Sequence, residues 1–457
     1  VFLYEDCALK LKKPVNFGFV DFTTADLRGW ASKREFTFNR VTAPNVYRSV
    51  HALTLEPGGD LAIDGAGEVL DWVLEMRRFA DDALLVNRLP ADGELGEALG
   101  REIARLHLAA PQGSTGGGGA GLAYVIKSNA DQLRACAGDL GPAAVERLIG
   151  AADAAMAAAW PLLAARLDSG LCRACHGDLH TANIIVEAGR PTLFDCIEFN
   201  DRLREIDVQY DLAFLLMDLA FRGSIVAANR ALNGWLDVAA REMGTALYEG
   251  LSLLPLHQST RAAVRAHVCA REGKAAEGQA YLDTALAYLH PPPPRLMAVG
   301  GLSGSGKTTQ ARRLAPALGA APGAVVLRTD EIRKRLWGTD SLDRLGPDAY
   351  APGANGEVYA ELRRLARLCL SAGRAVIADA AFLDPVERAA IEATAAACGV
   401  AFEGLWLEAP PAVLAQRISG RRGDASDADL AVLAAQLERD VGTITWPRAT
   451  SQNPRSV

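Results

Sequence analysis

Hydrophobic and polar positions follow two different periods along the chain. At the start an apolar run, Val1-Phe2-Leu3, is followed by Ala8-Leu9-Lys10-Leu11-Lys12, which alternates from Leu9, and together they predict a strand hairpin already under way. Two short apolar runs, Ile184-Ile185-Val186 and Leu193-Phe194, flank a turn and predict a second hairpin. Between and beyond them lie Ala/Leu-rich stretches, Ala151 to Leu167 and Ser259 to Leu289, which predict long helices. From Leu296 the texture changes. Leu296 to Val299, Ala324 to Leu327 and Ala375 to Ala378 read as short buried strands and Lys307 to Leu318 as a helix, an alternation that implies a parallel sheet.

Pro291-Pro292-Pro293-Pro294 separates these regions, because four successive prolines suit neither a helix nor a central strand. The expected organisation is one domain over 1–290, with a small lobe to about residue 78 and a helical lobe over about 79–290, a linker at 291–295, and a second domain over 296–457. A length of 457 residues supports two cores, and neither half repeats the other. The net charge of −7 offers no general attraction to a phosphate backbone, which favours small substrates over nucleic acid. The longest apolar run, Leu212 to Phe221, is broken by Asp218 and is far shorter than the roughly 20 residues a membrane helix needs, so no membrane span is expected. Eight scattered cysteines suggest a reducing cytoplasm rather than a disulfide framework. Cys172-Arg-Ala-Cys175 has the spacing of a redox or zinc pair, but no second pair accompanies it, and two strand residues explain it as well.

Gly301-Leu302-Ser303-Gly304-Ser305-Gly306-Lys307-Thr308 lies between a predicted strand and a predicted helix, the setting of a phosphate-binding loop. Glycines let successive N–H groups curl around phosphates, with Ser303, Ser305 and Thr309 among the cradle residues. Lys307 would reach the outer phosphates and Thr308 would hold magnesium. Asp330 follows the next strand, where it suits a base for an attacking hydroxyl or, equally, a helix N-cap. Arg333, one turn on, suits an acceptor contact. Asp379 ends the third strand, where it could order magnesium's water shell. Arg417, Arg421 and Arg422 flank a glycine-rich segment that could close over the nucleotide and neutralise migrating charge, or else end a solvated helix.

In the first half, His176-Gly177-Asp178-Leu179-His180-Thr181-Ala182-Asn183, followed by Asp195, supplies what phosphoryl transfer needs around one hairpin. Asp178 suits the base, with Asn183 and Asp195 as magnesium ligands. Upstream, Lys10 could neutralise phosphates with Glu35 orienting it. Lys12 and Lys13 compete, though alternation puts only Lys10 and Lys12 on one strand face.

These residues resemble two families. The second half is similar to P-loop kinases of the polynucleotide-kinase, zeta-toxin and gluconate-kinase type, on the phosphate loop, Asp330-x-x-Arg333 and the late arginines. The first half resembles the aminoglycoside phosphotransferase and choline kinase superfamily, on His176, Gly177, Asp178, Asn183 and Asp195. The longer runs Asp195-Cys-Ile-Glu-Phe-Asn and Asp207-Val-Gln-Tyr-Asp-Leu-Ala-Phe-Leu-Leu-Met-Asp look like a bacterial family that fuses the two. The resemblance implies an α+β protein-kinase-like N-terminal domain followed by an α/β P-loop NTPase domain with a parallel sheet. It further implies that Asp211 braces the catalytic loop and that Glu75 and Met76 mark the hinge beside adenine. It places another strand and a nucleotide-covering loop upstream of Val1. The expected function is a cytoplasmic phosphotransferase with two kinase centres using ATP, with GTP left open, and Mg2+ on hydroxyls of small molecules. Two alternatives stand beside it: one active half regulated by a nucleotide-binding half, and a nucleic-acid 5′-end kinase in the second half.

Overall fold

The computed structural model describes residues 1–450 except 17–19, 114–117, 421, 422 and 424. The candidate lid residues Arg421 and Arg422, and the first two residues of a run of four glycines, Gly116 to Gly119, therefore lie outside the described residues. The chain divides into two compact units, Val1–Ala227 with Leu256–Leu289, and Ala228–Pro255 with His290–Val457.

The N-terminal unit begins with an antiparallel sheet of β1 (Phe2–Tyr4), β2 (Cys7–Leu11), β3 (Tyr47–Leu55), β4 (Leu61–Ile63) and β5 (Glu68–Arg77), in the order β1-β2-β5-β3-β4. The predicted first hairpin is β1 and β2. Glu75 and Met76 sit inside β5, opposite Leu9 and Ala8, so the chain leaves the sheet only after Arg77. Helix Ala25–Thr42 starts at Thr24, whose side chain accepts the Leu27 N–H. Its buried residues, Arg28, Gly29, Ala31, Ser32, Glu35 and Asn39, recur at helical spacing, yet the stripe is largely polar because it faces charged groups rather than a core.

Below the sheet, β6 (Cys172–Ala174) pairs with β9 (Glu205–Asp207), and β7 (Ile184–Glu187) with β8 (Arg190–Leu193), both antiparallel. The predicted helix from Ala151 is part of Pro142–Asp168. The stretch from Ser259 to Leu289 is two helices, Leu254–Arg271 and Ala275–Tyr288, because Gly273 turns left-handed at φ 76° and ends the first. Cys172 and Cys175 are both buried and free. Helix Pro142–Asp168 is long and apolar enough to cross a bilayer by length and composition, a stretch longer than the Leu212 to Phe221 run on which the membrane expectation rested. Alanine supplies much of its apolar character, and the helix packs against Gly119–Ala135 and Ala275–Tyr288, burying Val145, Leu148, Ile149, Met156 and Leu163.

The C-terminal unit is built on β10 (Arg295–Gly301), β11 (Val325–Arg328), β12 (Val376–Asp379), β13 (Ala401–Glu408) and β14 (Arg448–Thr450), all parallel, in the order β11-β12-β10-β13-β14. The helix after the phosphate loop runs over Lys307–Leu314 and tightens at Pro316, short of the predicted Leu318. Residues Ala228–Pro255, which precede the prolines, group with this unit. The cause is edge capping: Asn229 and Asn233 Nδ2 donate to Ala324 O at 3.0 and 3.2 Å, and Asn233 Oδ1 accepts the Val326 N–H at 2.7 Å, covering the exposed side of β11.

Candidate active sites

In the N-terminal unit, β2 and helix Ala25–Thr42 bring Lys10 and Glu35 together. Lys10 Nζ lies 2.7 Å from Glu35 Oε1 and 2.6 Å from Asp195 Oδ1. Lys12, on the same strand face, lies 2.7 Å from Glu35 Oε2 and 2.5 Å from Glu198 Oε1. Glu35 thus binds both Lys10 and Lys12, the two lysines that strand alternation puts on one face, and not Lys10 by itself. Burial would lower the Lys10 pKa, but the charges of Asp195 and Glu35 more than reverse it, so the ammonium is retained. Burial raises Glu198 despite Lys12. Glu198 escaped the sequence reading, although it stands three residues after Asp195 in a run already singled out.

Asp195 has φ 61°, a left-handed conformation that a non-glycine residue adopts only when its surroundings impose it. They do so with three backbone anchors: Phe194 N–H to Asn183 O at 3.1 Å, Asp195 N–H to Tyr47 Oη at 3.1 Å, and Cys196 N–H to Asn39 Oδ1 at 2.9 Å. Asn39 also donates to Glu35 O at 2.9 Å, so the same helix sets both the Lys10 partner and the metal-side carboxylate.

The catalytic loop hangs on Asp211. Its fully buried carboxylate accepts the Gly177 N–H at 2.8 Å, the His176 N–H at 3.1 Å and His107 Nε2 at 3.1 Å. Cys175 lies with His107 and Asp211 inside 4.8 Å, but this carboxylate is already saturated by donors. Gly177 has φ 84°, and a Cβ there would meet Leu203 O at 2.8 Å, so only glycine fits the turn. His176 is buried, which lowers its pKa; neutral, it donates from Nε2 to Phe194 O at 2.8 Å and accepts the Asp178 N–H at Nδ1. Asp178 Oδ2 accepts Asn183 Nδ2 at 3.0 Å and faces His180 Nε2 at 3.5 Å. Burial would raise Asp178, but the hydrogen bond and charge of His180 hold it at about 2. Asn183 spends Nδ2 on Asp178, which leaves its Oδ1, with Asp195 Oδ2, as a pair of hard oxygen donors suited to magnesium.

In the C-terminal unit the phosphate loop leaves β10 with Gly301, Gly304 and Gly306 at φ 138°, 80° and 88°. A Cβ at Gly304 would stand 2.7 Å from Leu414 O. Lys307 Nζ donates to Leu302 O at 3.0 Å, and Ser305 Oγ is buried without a partner among the described residues. Thr308 Oγ1 donates to Asp379 Oδ2 at 2.6 Å, and burial raises the Asp379 pKa. This hydroxyl and carboxylate at the strand ends match the oxygen donors a magnesium–phosphate site requires. Asp330 is in the first turn of helix Thr329–Leu336, whose N-cap is Arg328, so the N-cap alternative for Asp330 falls. Arg333 is buried, bonded to Ala349 O and, at 2.7 Å, to Asn355 Oδ1, with its guanidinium over the Tyr350 ring. Arg417 donates to Gly304 O at 3.3 Å.

A family model described as a phosphotransferase enzyme family matches residues 60–247, and one described as an AAA domain matches residues 296–440. Uncharacterized protein Rv2004c of Mycobacterium tuberculosis is 34% identical over 477 residues, spanning 100% of this chain and 91% of its own. A gluconokinase from Sinorhizobium meliloti shares 22% identity over 35% of this chain and 85% of its own, with a TM-score of 0.25. An ethanolamine kinase of Plasmodium vivax shares 10% identity over 62% of this chain and 75% of its own, with a TM-score of 0.36. Both units are kinase-type and the protein is a phosphotransferase. The chain belongs, over its whole length, to the bacterial family of the Mycobacterium tuberculosis protein, in which a phosphotransferase-family domain is fused to a C-terminal P-loop kinase-like domain.

Proposed function

We propose that each unit transfers the γ-phosphate of ATP to a hydroxyl group of a small molecule. The observation that carries this reading is the N-terminal constellation: Lys10 held between Glu35 and Asp195, and Asp178 fixed by Asn183 on a loop suspended from Asp211. Lys10 neutralises phosphate charge, and Asp178, ionised at neutral pH, orients the acceptor hydroxyl and takes its proton as the phosphoryl group arrives. In the C-terminal unit the Ser303 and Ser305 N–H groups are taken by Gln436 Oε1 and Leu302 O, so the N–H groups of Gly304 and Gly306 to Thr309, with the Lys307 ammonium, hold the phosphates, while Asp330 is the acceptor base and Arg333 an acceptor-side contact. Magnesium, held by Asn183 and Asp195 in one unit and by Thr308 beside Asp379 in the other, would supply charge neutralisation between the phosphates. Eight free cysteines support a reducing, cytoplasmic setting for both reactions.

The test is ATP consumption by the full chain against a panel of sugars, amino alcohols, nucleosides and aminoglycosides, with Asp178→Ala and Lys307→Ala made separately. Each substitution should remove turnover of a distinct acceptor set. A panel in which one substitution abolishes everything and the other nothing would leave a single catalytic half. Turnover untouched by both would refute the assignment.

A further inference from the structure

The phosphate loop is held by two neighbouring helices, Pro411–Ser419 and Leu430–Glu438, at three consecutive residues. Leu302 packs on the cluster of Leu414, Ile418 and Leu433. Gly304 lies against Leu414 O, where no Cβ fits, and its carbonyl accepts from Arg417. Between them, the Ser303 N–H donates to Gln436 Oε1 at 2.8 Å. Gln436 is one turn beyond Leu433, so the buried leucine fixes where the amide lies.

A backbone N–H can only donate, so Oε1 faces Ser303 and Nε2 faces the other way. Nε2 then presents two N–H donors beside the loop and has no partner among the described residues. Donors only, beside a loop that already carries Lys307, suit an anion.

We propose that Gln436 is a phosphate-contacting residue of the C-terminal centre, locked by Ser303 so that Nε2 donates to the terminal phosphoryl oxygens of a bound triphosphate. This rests on the nucleotide reading of the phosphate loop. Its role is discrimination: the contact exists for a triphosphate and is missing for a diphosphate.

The test uses the full chain with MgATP and MgADP as probes, and takes as signal the binding that Lys307→Ala removes. Gln436→Glu keeps an oxygen acceptor for the Ser303 N–H but loses both donors. MgATP affinity should fall about tenfold, the scale of one charge-assisted hydrogen bond, with MgADP affinity falling less than about threefold. Gln436→Ala should narrow the ATP preference in the same direction. If Gln436 only pins the loop, Gln436→Glu will bind both probes with the unmutated ratio while Gln436→Ala weakens both equally, and the proposal is overturned. If the unmutated chain shows no Lys307-dependent binding of either probe, the nucleotide reading beneath it falls instead.

Discussion

Replacing Asp211 by Asn tests whether the N-terminal catalytic loop is suspended as the geometry indicates. The carboxylate is fully buried and takes three donors: two backbone N–H groups at 2.8 and 3.1 Å and His107 Nε2 at 3.1 Å. Asparagine has one acceptor oxygen. If that oxygen keeps Gly177, the amide NH2 confronts the His176 N–H, donor against donor. One charge-assisted bond worth about 1.5–3 kcal/mol is lost, and a buried N–H is left unpaired at about 1–3 kcal/mol. The sum, about 2.5–6 kcal/mol, brackets the roughly 3–5 kcal/mol cost of stripping one partner from a buried charge and is a large share of a domain's roughly 5–15 kcal/mol. Urea unfolding followed by tryptophan fluorescence, with Lys307-dependent nucleotide binding monitored to show that the C-terminal unit stays folded, isolates the N-terminal transition. The midpoint should drop, and turnover that depends on Asp178 should fall about a hundredfold, because a displacement of about 1 Å suffices for that loss. An Asp211→Asn chain with an unmoved midpoint and intact Asp178-dependent turnover would show that the loop is held by something else.

Other consequences follow from the same geometry. Lys10→Met should weaken MgATP at the N-terminal centre and cut kcat/KM at least about thirtyfold, whereas Lys12→Met, which leaves the Lys10–Asp195 contact in place, should cost less than about fivefold; equal losses in steady-state kinetics would contradict the assignment. Gly304→Ala should abolish Lys307-dependent nucleotide binding and lower thermal stability of the C-terminal unit by about 1–3 kcal/mol, since φ 80° and the nearby Leu414 carbonyl both reject a Cβ; a fully stable, binding variant would mean the loop relaxes freely. His257 is fully buried with a pKa lowered by burial from 6.5 to about 4, so between those values the unfolded chain binds the extra proton and stability falls as pH falls. Chemical denaturation across that window should show a loss of about 3 kcal/mol that His257→Leu removes; an unchanged pH slope in the variant would place the titration elsewhere.

How far the chemistry could be read from the chain follows from how local it is. Gly177, Asp178 and Asn183, and again Gly301 to Thr308, lie within eight residues, so backbone turns alone put their groups in reach of one another, and the motifs are visible in one dimension. Lys10 and Glu35 are separated by 25 residues and were still legible, because strand alternation and helix spacing each leave one face to choose. Glu198 and Gln436 were not. Each acts through a single contact across more than 130 residues, Lys12 to Glu198 and Ser303 to Gln436, and nothing in local composition distinguishes a surface Glu or Gln from one captured by a lysine or an amide. The same holds for residues Ala228–Pro255. Their apolar pattern is that of any amphipathic helix, and only Asn229 and Asn233 reveal that the partner is an open strand edge with backbone groups to satisfy. Local sequence therefore records the groups that do chemistry, whereas the groups that orient them are recorded only in long-range packing. The polar stripe of helix Ala25–Thr42 is where the two meet: Glu35 and Asn39 occupy positions that burial alone would fill with Leu or Ala, and that mismatch between period and polarity is the one orienting signal the chain displays openly.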